Sequence, residues 1–314
     1  KKVNKPAITP IYMNRDTTSA FLQEIQASVV APIEPVFVDF GKDMSQGTVG
    51  KLPLLYKKNE TNDLFSLQYI YDFGTAEMKE MGLAASYLDY LGTSDMSAAE
   101  IKLAFYNLAC NYRISASKDR VVVSLSGLAE NMPKAMELLE KVLADAQPNK
   151  EAYDGLVDDM LRSRLNDKAD QQANFRRLQT YTFYGPSNPS NTILSETELR
   201  SMAPEALLQR ISQLSAMEHR VLYYGPLAMN EVSSTVASLH KVPENLNPVP
   251  ENDVFKLQTV NENVVYIAPY DANQIYMITY ASKGEKYDVQ KSPVLNMYNE
   301  YFGGGMNSIV FQEM

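Results

Sequence analysis

The stretch Lys79–Thr93, KEMGLAASYLDYLGT, decides how the chain is read. It is an apolar run that closes on Gly-Thr, a stop suited to a helix end because Gly tolerates positive φ. It follows LFSLQYIYDFG (64–74), whose aromatic and β-branched content predicts a strand. A helix in this position can present histidines at i and i+4 to one metal ion, yet no histidine occurs anywhere from Lys1 to Glu218. It is therefore either a catalytic helix without its ligands or an ordinary helix.

Reading outward, LPLLYKK (52–58) is a second strand-like run, separated from 64–74 by the turn cluster NETND. Ser97 and Glu100 form a capping box, S-x-x-E, that predicts a helix through Ala109. NYRISAS (111–117) and RVVVSLSGL (120–128) predict a tight hairpin across Lys118-Asp119. The next helix carries Ala135, Leu138, Leu139, Val142 and Leu143 on one stripe, the pattern of a face lying on a sheet. Asn149 is a cap for a longer helix containing VDDMLRSRLND, and LLQRISQL leads into the strand HRVLYYG (219–225). Upstream, TTSAFLQEIQASVV (17–30) predicts a helix with Phe21, Ile25 and Val29 on one face, ended by the prolines of APIEP. The class is α+β, strands with helices on one face.

Composition narrows the function. Hydrophobic residues at 45% and charged residues at 21% are globular values. A net charge of −9 without a basic stripe argues against nucleic-acid binding. No run is long and apolar enough to span a membrane. The one cysteine, Cys110, lies in the apolar run LAFYNLACNY and reads as a small buried hydrophobe. His219 and His240 read as surface or boundary residues, neither having a second His at ligand spacing. Asp158 and Asp159 suit a hard cation or, more plainly, a solvated helix face. The 20 tyrosines suit either a peptide-lined chamber or half-buried strands.

After the Pro-rich segment KVPENLNPVPEND (241–253) the pattern restarts. NQIYMITYASKG (273–284) predicts a strand ending in Gly, as 64–74 does. The interval from Gly74 to Gly92 nearly equals that from Gly284 to Gly303, and the two close on SYLDYLG and MYNEYFGG. This suggests an internal duplication. The expected organisation is a linker and N-terminal helix (1–36), a first α+β lobe (37–240), a Pro-rich linker (241–253) and a partial second lobe (254–314). The second copy breaks off at FQEM inside an expected helix, so it is expected to be truncated, with apolar surface that missing elements would cover.

YFGGGMNSIVFQEM (301–314) resembles the Gly-rich motif of the M16 (pitrilysin-like) metallopeptidases, in which a Gly-Gly-Gly turn precedes a small-polar pair and an apolar helix. APIEPVFVDF with KLPLLYKKNETNDLFSLQYIYDFG resembles the start of the C-terminal half of a long bacterial member. GLAASYLDYLGTSDMSAAEI is similar to the family's first-helix region. The resemblance runs from about Pro32 to Met314. It implies repeated lobes of mostly antiparallel sheet with helices on one face, and two halves enclosing a chamber for an unfolded peptide. One half of such a protein carries H-x-x-E-H, whose histidines hold zinc and whose Glu activates the attacking water.

Aligned on Gly82-Leu83-Ala84, the motif positions fall on Ala85 for the first His, Leu88 for the Glu and Asp89 for the second His. The resemblance thus implies the non-zinc half, with no cofactor of its own and zinc in the parent protein. Its expected partners are the zinc-binding half, in the same protein or as a separate subunit, and an unfolded peptide. The role is to close the chamber and help bind substrate for hydrolysis by the other half; the alternative is a non-peptidase assembly or scaffold protein. The resemblance leans towards a bacterial periplasmic location. Candidate substrate-binding residues are Gly303, Gly304, Gly305, Asn307 and Ser308, as a Gly-rich loop lets another backbone approach closely. A turn needed only for packing accounts for them equally well.

Overall fold

The computed structural model describes residues 18–29, 31, 34, 36–251, 255–271 and 273–313. By its contacts the chain divides into Lys1–Asp43 and Met44–Met314. In the first unit, helix α1 (Ala20–Ala27) begins where Ser19 Oγ accepts from the Leu22 N–H at 3.2 Å. It is shorter than expected: Ser28 turns extended, Val29 falls outside it, and Phe21 and Ile25 stay exposed. Residues 1–17, 30, 32, 33 and 35 of the expected linker lie outside the described residues.

The second unit is built on a six-stranded sheet in the order β1-β2-β6-β3-β5-β4. Its strands are β1 (Ser45–Val49), β2 (Leu52–Lys58), β3 (Leu64–Tyr71), β4 (Cys110–Ala116), β5 (Val121–Leu128) and β6 (Arg220–Gly225). All neighbours are antiparallel except β2 and β6, which run parallel. Although NETND joins β2 to β3, these two do not pair. β6 returns from the helical part of the chain and inserts between them. Asn59 makes that wide turn possible: its N–H donates to Gly225 O at 2.8 Å, and its buried side chain donates to Leu64 O and accepts from the Thr61 N–H.

Alternation explains the single core. Leu52, Leu54 and Tyr56, Phe65, Leu67 and Tyr69, Val121, Val123 and Leu125, and Val221 and Tyr223 all turn to one face and are buried. Ser66, Gln68, Val122, Ser124 and Leu222 on the other face remain half-buried. Helices cover the buried face. Helix α2 (Met81–Leu88) lies by β4, which is followed by β5. Helix α3 (Ala98–Asn107) is shorter than expected and carries the capping box, with Ser97 and Glu100 each bonded to the other. Helix α4 (Met132–Asp145) presents Met132, Ala135, Met136, Leu139 and Val142, with Leu138 and Leu143 only half-buried at the margins. Each fully buried Leu or Val contributes roughly 1.5–3 kcal/mol before the ordering entropy is set against it.

Helix α5 (Lys150–Lys168) starts at the Asn149 cap and is followed by α6 (Gln171–Tyr184), α7 (Glu196–Ser201) and α8 (Pro204–Ser212). A second capping box, Ser195 with Glu198, opens α7. Helix α9 (Met229–Leu239) packs Val232 and Val236 into the core beside β1 and β2.

The described residues from 255 to 284 contain no strand, against the expectation over 273–284. One backbone bond, Val260 N–H to Ser282 O at 2.8 Å, joins the two runs. They rest on α6 through aromatic pairs rather than on further strands, and an isolated two-stranded pair has little stability of its own. Helices α10 (Ser292–Gly303) and α11 (Ile309–Glu313) follow, with no buried residue within either.

Candidate functional site

Helix α2 is positioned by its neighbours' backbone. Gly74 lies against the β4–β5 turn so closely that a Cβ there would stand 2.3 Å from Ser117 O. The following N–H groups donate to that turn, Thr75 to Ser117 O at 2.8 Å and Ala76 to Lys118 O at 3.0 Å. From this anchor α2 buries Met81, Leu83, Ala84, Ala85, Tyr87 and Leu88. Tyr87 is wholly buried, and its hydroxyl donates to Asn149 O and accepts from the Asn149 N–H, both at 2.8 Å. The helix is thus tied to the start of α5.

The zinc-motif positions are part of this packing. Ala85 and Leu88 are core residues without a donor atom, and Asp89 is the exposed C-cap. One carboxylate does not make a zinc site, so the residues present do not fit that ion. Among the described residues no group of three or more His, Cys, Asp or Glu is placed to hold a metal. Asp158 pairs with Arg200 at 3.2 Å and Asp159 with Arg162 at 3.8 Å on an exposed helix face. Cys110 is buried in β4, and burial pushes its thiol pKa up, away from a reactive thiolate.

The Gly-rich residues form a helix–turn–helix. Gly303 ends α10, Gly304 caps it by donating to Glu300 O, and Gly305 adopts φ +85°. Asn307 is exposed. Ser308 is buried; its hydroxyl donates to Gly305 O at 2.8 Å and receives the Phe311 N–H at 3.4 Å. The serine is engaged by its own turn.

An aromatic cavity of about 710 Å³ lies between α6 and the runs 258–266 and 276–280. Phe175 packs on Tyr276 with centroids 5.4 Å apart, Tyr181 on Tyr266 at 5.4 Å and Phe183 on Tyr280 at 4.8 Å. Gln258 closes one end: its N–H donates to Phe183 O at 2.7 Å, and its carbonyl accepts from Tyr280 OH at 2.9 Å. None of the five Gly-rich-loop candidates lines this cavity.

The two histidines stand at element boundaries, just before β6 and at the end of α9, but not at the surface as the alternative expectation had them. Both are buried, and their Nε2 atoms are 3.0 Å apart. His219 Nδ1 lies 2.7 Å from Met217 O, and His240 Nδ1 lies 2.8 Å from Glu140 Oε1. Tyr69 OH donates to the same Glu140 oxygen at 3.0 Å. Tyr69 stacks on His240 with centroids 4.0 Å apart, and Tyr71 lies 4.8 Å from His219. Burial lowers the His219 pKa to about 4, with the Met217 carbonyl opposing and His240 adding to the shift. Burial, and then Glu140, holds the Tyr69 phenol neutral. Their separation along the chain conceals this pairing; only the apolar sequence around His219 hinted at burial.

No protein-family model matches the sequence, and no curated protein matches it. Solved structures do. A crystal structure of a peptidase M16 inactive domain from Pseudomonas fluorescens is 17% identical, with TM-score 0.56, covering 67% of this chain and 53% of that one. The periplasmic protease PqqL from Escherichia coli is 15% identical, with TM-score 0.57, covering 76% of this chain and 29% of that one. The first half of PqqL, solved separately, is 17% identical, with TM-score 0.52, covering 70% of this chain and 50% of that one. This chain spans about half the length of the inactive-domain structure and under a third of whole PqqL. A mostly antiparallel sheet covered by helices on one face, with α2 following β3 across Gly74, is the fold that this chain shares with the M16 peptidase domains.

Proposed function

We propose that this chain is the non-catalytic half of an M16-type zinc metalloendopeptidase. It closes the chamber over an unfolded peptide and adds binding surface, while a companion half, in the same protein or as a partner subunit, holds zinc and hydrolyses the peptide bond. The observation that carries this reading is α2, whose Ala85 and Leu88 are core residues and whose Asp89 is a lone exposed carboxylate. Fold likeness does not choose between halves, since it extends to the first half of PqqL as well as to an inactive domain. The side chains on α2 favour the non-zinc half.

In this reading 37–240 is one lobe, 241–253 a linker and 254–314 part of a second. Gly303, Gly304, Gly305, Asn307 and Ser308 belong to the peptide-facing surface with the aromatic cavity beside α6. The periplasmic setting of PqqL supports the same compartment for this protein.

Fluorescence anisotropy with a labelled unstructured peptide tests the binding role. Binding should be insensitive to chelator, and Phe175→Ala or Tyr276→Ala should weaken it by about ten-fold, the loss of one aromatic contact. A folded chain that binds no such peptide would refute the chamber role and leave assembly or scaffolding as the better account.

A further inference from the structure

The buried histidine pair leaves few hydrogens to place. The Met217 carbonyl only accepts, so His219 Nδ1 carries a hydrogen. Burial keeps His219 neutral, which leaves its Nε2 unprotonated and assigns the hydrogen in the 3.0 Å contact to His240 Nε2. Tyr69 OH donates to Glu140 Oε1, the oxygen that also lies 2.8 Å from His240 Nδ1. One hydrogen sits between these last two atoms, on the imidazole or on the carboxyl. Each of the two contacts, His219–His240 and His240–Glu140, thus holds one hydrogen.

We propose that His219, His240 and Glu140 form a one-proton clasp that fastens the end of α9 and the root of the 241–251 segment to the sheet, and that acid opens it by protonating His219. A second proton would put two N–H groups face to face and an added charge in the core. His240 is the C-cap of α9, its N–H donating to Val236 O at 2.8 Å. The chain beyond it is tied back by Glu218 N–H to Asn247 O and Asn247 N–H to Ala216 O, both at 2.8 Å, and by Lys51 Nζ to Glu244 O. The clasp therefore sits where the sheet and α9 hand over to the Pro-rich segment.

The ionisable groups facing His219 are His240 from the end of α9, Glu140 from α4, and Tyr69 and Tyr71 from β3. Both phenols are kept neutral by burial. Arg220, next in the chain, pairs with Asp72 at the surface. His219 has its proton affinity lowered in the fold, so the clasp is closed at neutral pH and opens as pH falls through about 4.

The test is nitrogen NMR of the tag-free 314-residue chain labelled on histidine, in which only two imidazoles report. At pH 7 His219 should be a neutral ring with hydrogen on Nδ1 and none on Nε2, and His240 should carry hydrogen on Nε2. Acidification should protonate His219 near pH 4. Hydrogen exchange in 241–251, corrected for intrinsic rates, should then rise at least ten-fold while β3 and β5 stay protected. His219→Gln, which keeps an acceptor for His240, should remove that acid step. The proposal is overturned if both rings titrate as free imidazoles or if both Nε2 atoms are unprotonated at pH 7, the latter the mark of a bound cation. It is equally overturned if His219 protonates without any change in 241–251, or if His219→Gln keeps the acid step.

Discussion

Tyr87 shows what has become of the zinc-helix position. It sits between Ala85 and Leu88, and its hydroxyl serves both backbone groups of Asn149. Tyr87→Phe leaves those groups without this partner. It should destabilise the chain by about 1–3 kcal/mol, read as a lower denaturation midpoint with an unchanged slope. His219 makes a pH prediction of definite sign. Its pKa falls from 6.5 to about 4 on folding, so the unfolded chain takes the proton first as pH drops. Its contribution is complete above about pH 6.5 and is lost towards pH 4, on the order of 3 kcal/mol. Thermal melts at fixed ionic strength should show this decline, and His219→Gln should flatten it. The empty ligand positions of α2 were legible because they follow from residue identity. The histidine clasp was not, because it joins the start of β6 to the end of α9 and depends on where two distant elements meet.

At the scale of elements, local chemistry was read well and pairing less well. The S-x-x-E cap of α3, the Asn149 cap of α5 and the β4–β5 hairpin follow from near-neighbour rules. The insertion of β6 between β2 and β3 does not, since a turn cluster between two strands carries no sign of a strand that arrives between them later. The run 273–284 has strand composition but no ladder around it, so composition alone misled there. Gly74 is the element-scale test of how α2 is placed. A Cβ there would meet the backbone of Ser117 and Lys118, which have no side-chain freedom to yield. Gly74→Ala should cost about 2 kcal/mol or more and lower the hydrogen-exchange protection of Thr75 and Ala76.

For the whole molecule, the sheet, its helical cover and the M16-like topology give a scaffold in which the zinc-helix position is used for packing. The acidic balance, with a net charge of −9, disfavours anionic partners. In the proposed role, the aromatic cavity beside α6 would offer a peptide area and hydrogen-bonding tips rather than chemistry. The most direct test is cleavage of a quenched, unstructured peptide by the purified chain in the presence of zinc, alone and then mixed with a companion half that carries H-x-x-E-H. The account predicts no cleavage alone and chelator-sensitive cleavage in the mixture. Chelator-sensitive cleavage by the 314-residue chain alone would contradict it.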